Sequence, residues 1–306
     1  MIDVGHGVFF DTKEKCWQTL DQFPKLPECA GMCQSVSNSC VVANYQLYVA
    51  RGFVPTERNG IEIPNFVSLD IVNKRWKSLA PMTRRHGRCC LVPLGDHIYA
   101  IGGFGGEDEE STKKCEVYSI KEDGWSEIAP MPHPVCRVWP NSAVAYEGKI
   151  LVFGEEFTDR NYLGNILSFN LMLYDPTSNT WHVFGNYAYS HSSNAAMHQC
   201  VSGLVVQDGK CYRAVGGGRS AITVHEVIID RNDMKSCISE EDQRQRQGTA
   251  RIPKTLRMVA FCTIGQNMYR LSGGGYHKHD IKIKTYICLA NSKCAATFKF
   301  DKALLM

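Results

Sequence analysis

The sequence predicts an all-β fold, a six-bladed β-propeller with four-stranded antiparallel blades. Three observations point there. Strand-like stretches that end in or beside glycine recur at Gly5, Gly52, Gly103, Gly154, Gly216 and Gly273, in steps of 47, 51, 51, 62 and 57 residues. A tryptophan follows a strand-end Asp or Ser by six residues in Asp11/Trp17, Asp70/Trp76, Ser119/Trp125 and Asp175/Trp181. No long amphipathic helical pattern interrupts the series. Self-similarity near this period is how a chain of repeated blades reads in sequence. Over residues 1–306 it gives one domain, with repeats at approximately 1–39, 40–87, 88–141, 142–199, 200–256 and 257–306.

The third repeat shows the unit most plainly. Cys89-Cys90-Leu91-Val92 reads as a first strand, and Leu94-Gly95-Asp96 as a tight turn, because Gly and Asp tolerate positive φ. His97 to Ile101 reads as the second strand, closing on Gly102-Gly103. A long acidic loop over 104–114 follows, then Cys115-Glu116-Val117-Tyr118 and Trp125-Ser126-Glu127-Ile128 as third and fourth strands, ending in Ala129-Pro130-Met131. The paired glycines suit a backbone that must turn sharply where blades crowd together. The tryptophan is a large apolar anchor between neighbouring blades.

The hairpin recurs at Asn44-Tyr45, Glu147-Gly148, Asp208-Gly209 and Gly265-Gln266. The last two repeats are degenerate. The tryptophan expected near position 236 is replaced by Lys235-Ser236-Cys237, and in the sixth repeat Thr297-Phe298-Lys299-Phe300 stands near the tryptophan place. The first repeat opens at its second strand, so Ala303-Leu304-Leu305-Met306 is the expected closing strand.

Composition narrows the function classes. A net charge of +3 argues against a nucleic-acid platform built on bulk charge. No run of 18 apolar residues offers a membrane span, and Met1-Ile2-Asp3-Val4-Gly5 has no basic-then-apolar leader, so the cytoplasm is expected, with the nucleus as alternative. The 14 cysteines sit largely in apolar strand contexts and read as reduced thiols. Cys29 and Cys33 lack a following Cys or His pair, and His277-Lys278-His279 supplies only two ligands, so no metal and no cofactor is expected. The acidic run Glu107-Asp108-Glu109-Glu110 reads as solvated loop charge.

An up-and-down strand order sorts the connections into two groups. Turns joining strands one and two share an end with turns joining strands three and four. The opposite end carries the longer loops, at 51–66, 104–114, 155–165, 218–224 and 275–282, and the blade-to-blade connections at 83–88, 133–140, 190–198 and 248–257. Long, variable loops are where binding is usually hosted.

With its Gly-Gly, Tyr/Leu-Asp-x5-Trp and Ala-Pro-Met elements in order, the chain resembles the kelch domains of the BTB-kelch (kelch-like) proteins. The match is fullest between Cys40 and Trp181. It departs from Gly-Gly at Arg51-Gly52 and at Gly154-Glu155. The resemblance implies the substrate-recognition domain of a cullin-3 ubiquitin ligase adaptor. BTB and BACK domains, which bind the cullin in that family, have no counterpart in these residues, so cullin contact is expected outside this chain. The resemblance also places Arg88 where kelch-like proteins often set an Arg that reaches the substrate.

Arg84, Arg85, Arg88, Arg137, Arg219 and Arg257 all fall on connections of the loop-bearing end, while Asp96, Asp123, Glu147 and Asp208 fall on turns of the other. Arginine binds carboxylates through a planar fork, so the expected partner is an acidic protein segment. Trp139, Tyr162 and Tyr276 are the aromatic candidates at the same end, Trp139 as a hot-spot anchor. No catalytic residues are assigned, and the chain is read as a non-enzyme. The alternatives are a cytoskeletal or scaffold kelch protein without ligase coupling, and a kelch-fold enzyme, since fold alone does not fix function.

Overall fold

In a computed structural model, the described residues are 8–11, 16–19, 39–50, 57–58, 61–62, 66–70, 72–83, 89–103, 113–133, 142–157, 166–190, 203–215, 223–230, 235–238, 256–264, 267–274, 281–287 and 295–299. They form strands, turns and short irregular connections, with a single 3-10 residue at Lys113. The chain makes two compact units, Met1–Met131 with Asp301–Met306, and Pro132–Phe300.

In the first unit, β1 (Val8–Asp11) and β2 (Cys16–Thr19) form a hairpin. A four-stranded sheet follows, with β3 (Ser39–Ala43) and β4 (Gln46–Ala50) as its first two strands. The small hairpin β5 (Glu57–Arg58) and β6 (Ile61–Glu62) then interrupts the connection to β7 (Phe66–Asp70) and β8 (Arg75–Ser78). The next sheet is β9 (Cys90–Leu94), β10 (His97–Ile101), β11 (Cys115–Ser119) and β12 (Gly124–Ile128).

The second unit holds three more four-stranded sheets. They are β13 (Ala143–Tyr146) to β16 (Thr180–Ser190), through β14 (Lys149–Phe157) and β15 (Ile166–Asp175); β17 (Gly203–Gln207) to β20 (Lys235–Ile238), through β18 (Lys210–Val215) and β19 (Thr223–Asp230); and β21 (Leu256–Ile264) to β24 (Ala295–Lys299), through β22 (Asn267–Gly274) and β23 (Ile281–Ile287). Every four-stranded sheet is antiparallel in sequence order, the meander expected of a propeller blade.

Burial explains the strand sequences. In β10, Ile98, Tyr99, Ala100 and Ile101 are all buried, so both faces of this inner strand are covered and the sequence is almost continuously apolar. The outer strand β8 leaves Arg75, Lys77 and Ser78 exposed. One core joins the two sheets of the first unit: Tyr48, Phe66, Leu79 and Met82 meet Cys89, Ile98 and Tyr118. In the second unit Leu151, Phe153, Leu171 and Phe184 meet Leu204, Cys211 and Val227 in the same manner. First strands of successive sheets are neighbours within a unit, β3 beside β9, and β13 beside β17 beside β21.

The recurring tryptophan has one register. Phe10 pairs with Trp17, Leu69 with Trp76, Tyr118 with Trp125 and Tyr174 with Trp181. In the fifth repeat the same place, opposite Ile229, is held by Ser236. In the sixth, Phe298 does not stand there. It lies further along the strand, opposite Ile283, and the pair nearest the turn is Tyr286 with Ala295.

The turn before the tryptophan repeats at Trp76, Trp125 and Trp181. Asp70 Oδ1 accepts from the amides of Val72 at 2.9 Å and Asn73 at 2.8 Å, and Asp175 Oδ1 accepts from Thr177 N at 2.9 Å. These bonds mimic a backbone turn. The Asn73 backbone amide at Asp70, and the Lys149 side-chain ammonium at Asp175, lead the hydrogen bonds that hold the two carboxyls below the usual range. The last turn residue takes positive φ in each case: Lys74 at 55°, Asp123 at 49° and Asn179 at 52°.

Two connections differ from expectation. The loop expected over 155–165 is shorter, because β14 runs on to Phe157 and β15 starts at Ile166, with Phe157 opposite Leu167. Gly102 and Gly103 turn the chain after β10 with φ of 62° and 108°, whereas Gly154 is followed by Glu155 and stays in an extended strand opposite Asn170. A bulge at Leu171/Met172 then takes up the extra residue in β16. In the sixth repeat Gly273 and Gly274 likewise lie within β22.

Candidate protein-interaction site

Pairing register fixes which connections share an end. Ile101 pairs with both Cys90 and Cys115, and Cys115 pairs with Ile128. The connection into β9, the one from β10 to β11 and the exit from β12 therefore lie at one end of this sheet. The turns at Gly95-Asp96 and 120–123 lie at the other. In the preceding sheet Ser39 pairs with Ala50 and Ala50 with Phe66, giving the same arrangement. The separation into a long-loop end and a short-turn end thus holds in each of these two sheets.

The chain leaving β8 is gripped by the following sheet. Trp125 donates its indole N–H to the Ala80 carbonyl at 3.0 Å, and the Ala80 amide donates to Asp123 Oδ1 at 2.9 Å. The Tyr118 hydroxyl donates to the same oxygen at 2.7 Å, and Lys77 approaches Asp123 Oδ2 at 3.4 Å. Burial would raise the Asp123 carboxyl, but the bonds from Ala80, Tyr118 and Lys77 outweigh it and hold it below the usual value. Asp123 therefore serves this clasp rather than acting as solvated acidic charge on the short-turn end. Burial, with the Asp123 hydrogen bond and charge, pushes the Tyr118 hydroxyl well up.

Beyond Ala80, Met82 is buried and the Thr83 amide donates to Glu116 Oε2 at 3.1 Å. Glu116 is fully buried. After five intervening residues comes Cys89, which is fully buried, and the Ser39 hydroxyl donates to its carbonyl oxygen. Ser39 is itself buried. Thr83 and Cys89 are thus each held by a buried polar side chain, one from each of two adjacent sheets. At the exit from β12 the corresponding anchor is the Met131 amide, which donates to the Lys113 carbonyl at 2.8 Å.

Of the sequence-predicted site residues, Arg84, Arg85, Arg88, Arg137, Trp139, Tyr162, Arg219 and Tyr276 lie outside the described residues. Arg257 was expected in a connection; it is instead the second residue of β21, opposite Gly273. Reasoning from sequence missed Glu116 and Ser39. Strand parity carried the signal for Glu116, since it shares a face with Tyr118 two residues on.

Burial pushes the Cys89, Cys115 and Cys211 thiols up to about 12, so they stay protonated and are poor nucleophiles or ligands. Among the described residues, no group of three His, Cys, Asp or Glu is placed to hold a metal ion, and no helix is long and apolar enough to cross a membrane. His277 and His279 lie outside the described residues.

The Kelch motif family model matches residues 85–132, the connection and the sheet just described. The chain is 30% identical over 174 residues to Kelch repeat and BTB domain-containing protein 12 of Homo sapiens, covering 52% of this chain and 27% of that protein. The Danio rerio protein of the same name is 29% identical over 170 residues, covering 51% and 27%. Kelch-like protein 35 of Mus musculus is 26% identical over 174 residues, covering 57% and 25%. The chain spans about a quarter of the length of these curated relatives. The matched motif, the sheets of kelch-blade strand order and these relatives together support a kelch-repeat domain similar to those of the BTB-kelch proteins.

Proposed function

We propose that this domain is the substrate-recognition part of a BTB-kelch adaptor for a cullin-3 ubiquitin ligase. It binds an acidic protein segment at the long-loop end of its blades, in the cytoplasm or nucleus. In this reading the repeats close into a single six-bladed propeller, and Arg84, Arg85 and Arg88, with Arg137 and Arg219, supply the cationic contacts. Trp139, Tyr162 and Tyr276 supply apolar ones. Cullin-3 is engaged through BTB and BACK domains rather than through these residues, and the domain catalyses nothing itself.

One observation carries the reading. Thr83 and Cys89, which flank the densest cationic sequence, Arg84-Arg85-His86-Gly87-Arg88, are each held by a buried polar side chain at the long-loop end of the sheet. Anchored loops present side chains at lower entropic loss on binding. The relatives' names add the BTB pairing.

Proximity labelling in cells, comparing the wild type with Arg88→Ala, tests the recognition half. A set of partners lost in the variant, while the variant melts normally, supports it. Partners that ignore the substitution place the site elsewhere. Co-precipitation of cullin-3 with the full-length protein tests the ligase half, and its absence favours a scaffold without ligase coupling.

A further inference from the structure

The second repeat departs from the turn chemistry of its neighbours twice, at one end of one sheet. In its β3–β4 turn the second residue is Tyr45, at φ 59°. The corresponding residue is Gly148 in the β13–β14 turn and Gly209 in the β17–β18 turn, at 76° and 74°. In its β7–β8 turn the second residue is Val72, where the β11–β12 turn has Lys121 and the β15–β16 turn has Thr177, both exposed. Tyr45 is 81% exposed and Val72 72%.

Pairing register brings the two turns together. Ala43 pairs with Gln46, Gln46 with Asp70 and Asp70 with Arg75. That row closes the short-turn end of the sheet, and both turns project beyond it side by side. Val42 joins them from one row further in. It is 56% exposed, on the β3 face opposite the one from which Val41 and Ala43 pack on the core of the first unit.

The fold gains little from these side chains. A tyrosine in the left-handed region is strained, and all three apolar groups stand largely in water. Backbone outliers of this kind gather at ligand clamps, where binding offsets the strain. Local rules broken without a packing gain point to function rather than folding.

We propose that Tyr45, Val72 and Val42 form a second docking surface, for a short segment of a partner protein whose apolar side chains are flanked by acidic ones. It is independent of the recognition proposed above, which lies at the long-loop end. Size favours a short segment over a second copy of this chain, since three such side chains present about 400 Å² at most, against about 800 Å² per partner in a stable dimer. Tyrosine is among the residues that most often carry the energy of an interface. Charge sets the flanks. Both Asp70 carboxylate oxygens are taken up inside their own turn, by the amides of Val72 and Asn73 and by the Asn73 side chain, while Arg75 at the same rim is exposed. An exposed guanidinium beside an apolar patch selects a carboxylate next to the anchor.

The test uses the full chain. The probe is a fluorescein-labelled peptide of four leucines between triglutamate ends, with one leucine replaced by photoreactive benzoylphenylalanine. Irradiation and mass spectrometry locate the cross-link, and anisotropy gives the affinity. Cross-links are expected within residues 42–47 and 72–75. Tyr45→Gly, Val72→Thr and Arg75→Ala should each weaken binding by about threefold or more. Glycine and threonine are what the sister turns hold, so the first two variants keep their turns, and the melting temperature of Tyr45→Gly should be unchanged or higher. Cross-links confined to other parts of the chain, absence of saturable binding, or an affinity indifferent to Tyr45→Gly and Val72→Thr overturns the docking surface. Sedimentation velocity on the protein alone tests the other occupant. A concentration-dependent dimer that Tyr45→Gly abolishes gives the surface to a second copy and overturns the short segment.

Discussion

The indole N–H of Trp125 bonds to the carbonyl oxygen of Ala80, 45 residues earlier and just beyond the last strand of the preceding sheet, at 3.0 Å. The repeated tryptophan is thus more than an apolar wedge. Its ring lies 4.9 Å from Phe66 of that sheet and 5.2 Å from Tyr118 of its own, and its nitrogen closes a backbone group that would otherwise be left at the seam.

Trp125→Ala should therefore destabilise the protein by about 3 kcal/mol, the lower part of the range for large aromatics because the ring is only half-buried. Trp125→Phe should keep much of the ring packing and lose about 1 kcal/mol for the hydrogen bond. Chemical denaturation of the three proteins checks this. Equal stability of Trp125→Phe and the wild type would show that the Ala80 bond contributes nothing.

Asp123 carries the second half of the same clasp. Asp123→Ala removes the acceptor for Ala80 and Tyr118 and puts a non-glycine, non-Asx residue at φ 49°, so a loss of about 2–3 kcal/mol is expected. Asp123→Asn tolerates that backbone and keeps one acceptor oxygen, so its loss should be smaller. The sign of the pH dependence follows from the lowered carboxyl. Its contribution is fully present above the unfolded value of 3.8 and is lost as pH falls through the lower folded value. The stability gap between wild type and Asp123→Asn should be flat from pH 7 to about 5 and shrink below about pH 4. Denaturation midpoints across that range measure it.

Much of this repeat was legible in the sequence, for a physical reason. A tryptophan at fixed distance from a turn-capping Asp or Ser encodes a hairpin register, and all four such tryptophans pair with the residue before that Asp or Ser. Even the vacancy at Ser236 was readable by position. What was not readable came from tertiary bonds. Asp123 looks like a solvated turn acid until Ala80 is seen above it. Glu155 to Phe157 looks like loop because a lone Gly154 resembles half of a glycine pair, yet pairing with β15 carries the strand through. Glu116 looks polar and exposed, and only its shared face with Tyr118 betrays its burial.

The β3–β4 turn places Asn44 at φ 48° and Tyr45 at φ 59°, and Tyr45 is 81% exposed. A left-handed backbone is disfavoured for a tyrosine, and little packing offsets it here. Tyr45→Gly creates the Asn-Gly pair that two-residue hairpins favour and should stabilise the protein by about 0.5–1 kcal/mol. Thermal melting tests this, and a lower melting temperature would mean that the exposed ring makes a contact worth more than the strain.

Arginine-led recognition at the long-loop end is tested most directly by one measurement. The measurement is the affinity of the full chain for a labelled deca-glutamate peptide by fluorescence anisotropy, from low to physiological salt, in the wild type and in Arg88→Ala. Partly exposed arginine–carboxylate pairs are screened over roughly 8–10 Å at these ionic strengths, so affinity should fall as salt rises. Arg88→Ala should fall further, with a flatter salt dependence and an unchanged melting temperature. An affinity indifferent both to salt and to Arg88→Ala would contradict the account and move the site toward the aromatic residues Trp139 and Tyr162.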